Sequence, residues 1–411
     1  LSNELQFFRD GANLAAIDVD NETHEVLAYA GGANYWGPAG YVDLARAIRS
    51  PGSALKPFIY GFGFDDLVIH PATLIDDAAI TFDGYTPRNF DRDYQGTVTI
   101  REALQHSLNV PAVQILERTG PVRMAATLRQ AGARLELPSA WATPSLPIAL
   151  GGVGISLADV VMLYTAIPNG GVAQPLRFLR EAANDAPAKR LFGPAAAWYL
   201  TDILRGSPLP DEWAMGQGIE RARAVAFKTG TSYGYRDAWA IGFSDRYTVG
   251  VWAGRADGST RPGRFGRNES APVMLKIFDV LPPEDPSADA PPVDVIAAAT
   301  ARDLPPGLQR FQRLAAPIQG IVRAVPPPTI AFPPDGATVE VAASAEERAL
   351  VLRAEGGTQP LRWIVNGEML PEPGLYQPTT FTPEGAGFAR ITVIDAAGRS
   401  ASAMVRFVFD D

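Results

Sequence analysis

The stretch Arg49-Ser50-Pro51-Gly52-Ser53-Ala54-Leu55-Lys56-Pro57-Phe58 decides how the rest of the sequence is interpreted. Pro51-Gly52 interrupts regular structure, and the apolar residues after it favour a helix that starts there. Residues three apart share a helix face, so Lys56 would hold its amine near the Ser53 hydroxyl. Because serine is a weak nucleophile until a base accepts its proton, Ser53 and Lys56 are a candidate nucleophile and base. Taken alone, the pair also fits a capped surface helix.

Two later motifs strengthen the catalytic interpretation. Ser107-Leu108-Asn109 and then Lys228-Thr229-Gly230-Thr231 follow in order, and each of the three patterns occurs once in the chain. Together they supply hydroxyls, amines and an amide of the kind that acyl transfer uses. For Asn109 the alternative is a structural one, a helix cap or a turn.

This ordered set resembles the penicillin-binding proteins and serine β-lactamases. Residues 52–60 and 98–113 are similar to the flanks of these motifs in the high-molecular-weight transpeptidases, and the whole chain is most similar to class A penicillin-binding proteins of the 1C subgroup. The resemblance implies an α+β protein with the penicillin-binding and serine β-lactamase-like transpeptidase fold, an antiparallel sheet covered by helices. It also implies a small all-β sandwich at the C-terminus.

The resemblance carries roles onto individual residues. Ser53, Lys56, Ser107 and Lys228 are expected to be catalytic. Ser53 would be the nucleophile, Lys56 a base that must be neutral, and Ser107 and Lys228 a proton relay. Asn109, Thr229, Gly230 and Thr231 are expected to bind substrate, and the N–H groups of Ser53 and Thr231 to form an oxyanion hole. No cofactor and no metal are expected.

The function that follows from the resemblance is a peptidoglycan D,D-transpeptidase that joins stem peptides and is acylated by β-lactams. A D,D-carboxypeptidase would pass the same acyl-enzyme to water, and a non-enzymatic β-lactam sensor or scaffold would keep the motifs without turnover. A β-lactamase is disfavoured, because the chain shows no equivalent of the class A deacylating glutamate motif. The family also suggests an envelope protein partner such as a bacterial α2-macroglobulin.

Composition narrows the function classes further. The net charge of −9 disfavours a nucleic-acid partner. The absence of cysteine excludes disulfides and thiolate chemistry. The three histidines, which are His24, His70 and His106, lack the spacing of metal ligands and give no basis for a serine–histidine–acid triad.

The sequence begins with Leu1 and has no run of about 18 apolar residues, the length that would span a membrane. We therefore expect a piece of a longer protein. Members of the resembled family carry a membrane anchor and a glycosyltransferase domain upstream, which implies a periplasmic location with an inner-membrane anchor in the full-length protein.

Turn residues and apolar runs divide the chain into three parts. We expect a transpeptidase domain at 1–284, a Pro-rich linker with short helices (295–301 and 308–314) at 285–326, and a C-terminal β-sandwich at 327–411. In the first domain the pattern predicts a short helix at 1–10, a hairpin at 14–30, a second hairpin at 238–252 and a closing helix at 273–280. Thr99 and Glu102 form a capping-box pattern. In the last domain Asn366-Gly367 predicts a hairpin turn.

Overall fold

The computed structural model describes residues 11–409 except 38, 83–84, 90–92, 140–141, 180–186, 211–223, 285–289, 314–326, 342–348, 359, 372–378, 384 and 397. The chain divides into two compact units, Leu1–Arg313 and Leu314–Asp411, which we call the larger and the smaller unit. The helix expected at residues 1–10 lies outside the described residues. None of the helices in the described ranges is long and apolar enough to cross a lipid bilayer.

The larger unit is built on one five-stranded antiparallel sheet with the strand order β2-β1-β9-β8-β7. Both hairpins predicted from the sequence are present in it. Two short ladders, β3–β4 and β5–β6, lie outside this sheet. The strands of the described part of this unit are β1 (Asn13–Asp20), β2 (Val26–Ala30), β3 (Leu74–Asp77), β4 (Gly96–Thr99), β5 (Val172–Ala173), β6 (Lys189–Arg190), β7 (Ala226–Thr231), β8 (Asp237–Phe243) and β9 (Tyr247–Gly254).

Helices cover both faces of the sheet, because every residue of β1, β8 and β9 is buried and such strands need apolar neighbours on each side. The helices of the described residues are α1 (Lys56–Asp65), α2 (Ile100–Gln105), α3 (Asn109–Thr119), α4 (Pro121–Gln130), α5 (Leu157–Thr165), α6 (Pro194–Arg205), α7 (Ser270–Val280) and α8 (Pro306–Gln309). Short 3₁₀ turns span Gly52–Leu55, Leu146–Leu150 and Ala301–Asp303.

Two apolar clusters lie on opposite faces of the sheet. On one face, α5 packs through Leu157 and Val161 with Ile17 and Ile241, and this cluster continues through α1, α3 and α6. On the other face, α7 packs with the remaining side chains of the strands. Helix α1 is the centre of the helical part, since all its residues from Lys56 to Phe64 are buried. The segment from Ser53 to Lys56 is therefore anchored in the core of the unit.

Several local predictions are corrected by the structure. Helix α3 begins at Asn109, the last residue of the Ser107-Leu108-Asn109 motif, although the residues of this motif carry no local signal for a helix start there. The hairpin of β3 and β4 was not predicted, because four-residue strands give too short a pattern. Residues 295–300 are not helical, and the helix expected at 308–314 is a four-residue turn of helix at Pro306–Gln309.

Residues 290–313, which the sequence analysis assigned to a linker, pack on the larger unit instead of extending away from it. The His70 Nε2 atom lies 3.0 Å from the carbonyl oxygen of Ile296. Thr73 donates its hydroxyl hydrogen to the carbonyl oxygen of Leu308 at 2.6 Å. The Pro-rich composition therefore indicates an irregular segment, but this segment packs against the larger unit.

The smaller unit is strand-rich, as expected. This unit contains a five-stranded sheet with the order β11-β18-β17-β14-β15 and two ladders of two strands each, β10–β13 and β12–β16. Side chains of the sheet and of the ladders form one apolar cluster, so the unit has two layers. The predicted turn at Asn366-Gly367 is present between paired Val365 and Glu368. The strands are β10 (Thr329–Phe332), β11 (Thr338–Val341), β12 (Leu350–Val351), β13 (Arg353–Glu355), β14 (Arg362–Val365), β15 (Glu368–Met369), β16 (Thr380–Phe381), β17 (Gly387–Ile394) and β18 (Ser400–Phe409).

The capping box of α2 gives a stability prediction. The Thr99 hydroxyl accepts the Glu102 N–H, and the Glu102 carboxylate accepts the Thr99 N–H at 2.8 Å. We expect Thr99→Ala to lower the free energy of unfolding by ~1 kcal/mol, whereas Thr99→Ser keeps the hydroxyl and should lose less. Calorimetric melting of both variants measures the difference, and equal destabilisation by Ala and Ser would contradict the role of the hydroxyl.

Candidate active site

Ser53 lies in the 3₁₀ turn that leads directly into α1. The turn is held by two hydrogen bonds from distant side chains. Tyr164 donates its hydroxyl hydrogen to the carbonyl oxygen of Ala54 at 2.5 Å, and the indole N–H of Trp239 donates to the carbonyl oxygen of Ser50 at 2.9 Å. Ser53 itself is half-buried, whereas its neighbours on both sides are buried. The backbone around the hydroxyl is thus fixed while the residue stays accessible.

This turn lies against β7 at backbone contact distance. A Cβ atom added at Gly230 would lie 2.4 Å from the carbonyl oxygen of Pro51, and one added at Gly52 would lie 2.3 Å from the carbonyl oxygen of Thr231. Gly52 also has a φ of +53°, which favours glycine. The two glycines bring the first and third motifs together, because no larger residue fits between the two backbones.

The Lys56 amine is buried and contacts the second motif. Its Nζ donates to the carbonyl oxygens of Ser107 at 2.6 Å and Leu108 at 3.0 Å, and to Asn109 Oδ1 at 2.6 Å. The Ser107 Oγ atom lies 3.5 Å away. Among the hydrogen bonds of the described residues, none joins the Lys56 amine to the Ser53 hydroxyl, which the spacing had suggested as its partner.

The Ser107 hydroxyl lies between two lysine amines. Lys228 Nζ donates to Ser107 Oγ at 2.8 Å and to the carbonyl oxygen of Thr229 at 2.8 Å. Ser107 adopts a φ of +58°, an unusual value for a residue other than glycine, and this conformation directs the turn between α2 and α3. One hydroxyl thereby connects a residue of α1 with a residue of β7.

Burial weakens proton binding by both amines, and repulsion by Lys228 adds to this effect at Lys56. Burial, and secondly the charge of Lys228, hold the pKa of Lys56 well below its usual range, while the Asp77 carboxylate opposes this shift. Burial lowers the pKa of Lys228 to about 7. Both buried amines therefore bind a proton more weakly than an exposed lysine amine does.

The four expected substrate-binding residues lie around the same group. Thr229 and Thr231 are partly exposed on β7, and Gly230 between them is buried. Asn109 accepts from Lys56 through Oδ1 and donates through Nδ2 to the carbonyl oxygen of Arg88 at 2.7 Å. The structure brings the three motifs to one place, and Asn109 links the second motif to Lys56.

Sequence reasoning missed the loop that supports β7. The Gly266 amide donates to Thr231 Oγ1 at 3.1 Å. A buried bidentate ion pair fixes the loop, in which Arg261 contacts both carboxylate oxygens of Glu269 at 2.6 and 2.9 Å. Arg261 and Glu269 are eight residues apart in a segment without hydrophobic periodicity, so no local pattern indicates that they fix this loop.

A second missed group comprises Asp77 and Asn89. Asn89 Oδ1 accepts the backbone N–H of Asn109 at 2.8 Å, and Asn89 Nδ2 donates to both carboxylate oxygens of Asp77. These contacts join residues 12 and 20 positions apart, so only the folded chain reveals them.

The chain resembles known proteins over both units. A family model described as the penicillin binding protein transpeptidase domain matches residues 14–278. The chain belongs to this penicillin-binding protein family. A second model, the penicillin-binding protein C-terminus family, matches residues 319–407. The expected transpeptidase fold and the class A resemblance are confirmed.

The relatives of this penicillin-binding protein are longer than the chain. It is 39% identical to penicillin-binding protein 1C of Escherichia coli, over 78% of the chain and 42% of the relative. It is 31% identical to penicillin-binding protein 1B of Vibrio cholerae, over 59% of the chain and 33% of the relative. The chain thus spans less than half of each relative's length. Among solved structures, PonA1 of Mycobacterium tuberculosis in complex with penicillin V gives a TM-score of 0.59 at 21% identity, covering 69% of this chain and 82% of PonA1, which supports the fold.

The contact between Gly52 and β7 generates a prediction. Gly52→Ala places a methyl group against the backbone of Thr231, so we expect a loss of about 1–3 kcal/mol in stability beyond the cost of the positive φ. Gly263→Ala is the matched control, because Gly263 has a φ of +78° and nothing within 4 Å of the added Cβ. Thermal melting and labelling by fluorescent penicillin measure both variants. If the two variants have the same melting temperature, close packing against β7 is not what requires glycine at position 52.

Proposed function

We propose that this penicillin-binding protein is a peptidoglycan D,D-transpeptidase in which Ser53 forms the acyl-enzyme. The observation that carries the proposal is the Ser107 hydroxyl, which lies between the buried amines of Lys56 and Lys228 beside the Ser53 turn. Such an arrangement can move a proton between two amines and a reacting group without water.

In the first step the Ser53 oxygen attacks the carbonyl carbon of the penultimate D-alanine, and the Ser53 proton passes to Lys56. This requires Lys56 to be neutral. In the structure its amine has three carbonyl acceptors within 3.0 Å, a set that matches the three hydrogens of an ammonium group. When the amine loses a proton it gives up one of these bonds and gains a lone pair. Burial and Lys228 favour that loss, as the lowered pKa of Lys56 indicates.

In the second step the C–N bond to the terminal D-alanine breaks. The proton taken from Ser53 must reach the leaving amine nitrogen, and Ser107 Oγ offers the route because it contacts both lysines. The negative charge on the carbonyl oxygen during both steps needs hydrogen-bond donors. The N–H groups of Ser53 and Thr231 are our candidates, and a donor of this kind typically contributes ~2.7–4 kcal/mol.

Substrate binding is proposed along β7, the edge strand of the sheet. An extended peptide can pair with an edge strand through its backbone. Lys228 makes two hydrogen bonds, so its third N–H can contact the terminal carboxylate together with the Thr229 and Thr231 hydroxyls. Asn109 has one amide hydrogen beyond the one given to Arg88, which suits a substrate carbonyl.

A penicillin mass shift tests the nucleophile. We expect the intact chain to gain the mass of one penicillin molecule after exposure, and Ser53→Ala to gain none, because only the Ser53 oxygen can form the ester. Thermal melting of Ser53→Ala checks that the variant is folded. An unchanged mass shift in Ser53→Ala would assign the acyl-enzyme to another residue.

The molecule that accepts the acyl group from Ser53 distinguishes the related activities. Dimeric muropeptides formed from labelled stem peptides support the transpeptidase, whereas D-alanine released without dimers identifies a carboxypeptidase. Acylation without either product indicates a β-lactam sensor or scaffold. The periplasmic location, the inner-membrane anchor and the α2-macroglobulin partner stay predictions from the family resemblance.

Recognition of the substrate carboxylate gives a prediction for Lys228. We expect Lys228→Ala to slow acylation by carboxylate-bearing ligands more than acylation by neutral ones. In the unaltered chain the preference for the carboxylate should decline as the pH rises above about 7, where Lys228 loses its positive charge. Acylation rates of a matched pair of ligands across pH measure both effects. An equal loss for both ligands would show that Lys228 acts only in proton transfer.

A further inference from the structure

Asp77 is a buried carboxylate at the end of β3 that the mechanism above does not use. It is 0% exposed. Both of its oxygens accept from Asn89 Nδ2, at 2.9 and 2.7 Å, and Oδ2 also accepts the backbone N–H of Gln95 at 2.8 Å. A buried carboxylate is costly unless its acceptors are satisfied in this way, so its place in the core calls for a role.

Hydrogen bonds connect this carboxylate to the Lys56 amine. Asn89 Oδ1 accepts the backbone N–H of Asn109 at 2.8 Å, and Asn109 Oδ1 accepts from Lys56 Nζ at 2.6 Å. Asn109 is the first residue of α3, whose N-cap residue Leu108 supplies no side-chain cap. Asn89 satisfies one of the open N–H groups at that helix start from a different part of the chain.

We propose that Asp77 is a positioning residue for the reaction: acting through Asn89, it holds the Ser107–Asn109 turn, and with it the acceptors of the Lys56 amine. The inference deepens the proposed function and rests on the role of Lys56 given there. The link is the hydrogen bond from the Asn109 N–H to Asn89 Oδ1. Without it, neither the strained Ser107 backbone nor the start of α3 is fixed to the segment that contains Asn89.

The charge of Asp77 supplies a readout that a purely structural role would not affect. Lys228 on β7 and Asp77 on β3 are the charged groups that act on the Lys56 pKa, and they act in opposite directions. Burial, and secondly the charge of Asp77, raise the pKa of Tyr60, one turn further along α1. Since a carboxylate favours the protonated amine, removing its charge should let Lys56 lose its proton at a lower pH.

The chain makes this measurable, because it contains four lysines, Lys56, Lys189, Lys228 and Lys276. Lysine labelled with ¹³C at Cε gives one NMR signal per residue, and single lysine-to-arginine variants at 189 and 276 assign the two that lie outside the site. Titration of the intact 411-residue chain then follows Lys56 directly, without any acylation. The rate of acylation by penicillin across pH is the second measurement.

Three variants separate charge from position. Asp77→Asn removes the charge, and we expect both the Lys56 midpoint and the acid limb of the acylation rate to move to lower pH. Asn89→Ala keeps the charge and removes the link, so acylation should fall by up to ~100-fold with a smaller movement of the midpoint. Asp76→Asn is the matched control, since Asp76 is the exposed neighbour on β3 that pairs with Arg310, and both readouts should stay unchanged.

The outcomes are distinct. The proposal is wrong if Asp77→Asn and Asn89→Ala are folded and match Asp76→Asn in both readouts, or if their rates fall equally at every pH with no movement of the midpoint. Should Asp77→Asn not fold, Asn89→Ala alone decides through its acylation rate. If the unaltered chain is not acylated but the Lys56 midpoint moves as described, the proposed function fails, whereas the effect of Asp77 on the Lys56 amine is shown independently of it.

Discussion

The burial of two lysine amines around one hydroxyl is the constraint on which the rest of the site depends. Two ammonium groups near one another in the protein interior repel each other and lose their hydration, so the fold has to supply acceptors. For Lys56 these are the carbonyl oxygens of Ser107 and Leu108 and the Asn109 side chain. The unusual backbone of Ser107 is a consequence, because it turns two successive carbonyl groups toward the same amine.

The scaffold keeps these groups in place by close backbone packing. Gly52 and Gly230 let the 3₁₀ turn lie against β7, and Gly266 approaches the other side of the same strand, where an added Cβ would lie 2.5 Å from the carbonyl oxygen of Gly230. The strand is thus confined by backbone on two sides. Rigid placement of this kind is what a reaction that depends on sub-ångström geometry requires.

The sequence predicted the elements that carry strong local signals. Two hairpins, the capping box at Thr99 and the Asn366-Gly367 turn follow from patterns within a few residues, and the fold class follows from motifs resembling a known family. What it could not predict rests on contacts between distant positions. Nothing near Asp77 indicates that its carboxylate meets Asn89, and nothing near Gly266 indicates that its amide meets Thr231. The segment 290–313 was misjudged for the same reason, since its contacts with His70 and Thr73 are not visible in its own composition.

The two lysines differ in what surrounds them, and this decides where a shared proton resides. Lys56 is subject to burial, to repulsion by Lys228 and to attraction by Asp77, whereas burial is the cause that lowers the pKa of Lys228. A ligand carboxylate beside Lys228 adds an attraction that is stronger there than at Lys56, because the interaction falls with distance. Binding of a carboxylate therefore favours the proton on Lys228 over Lys56, and the repulsion that follows keeps the Lys56 amine neutral. Under the proposed function, a bound carboxylate would in this way prepare Lys56 as the base, and the Ser107 hydroxyl between the two amines would be the path by which the proton is exchanged.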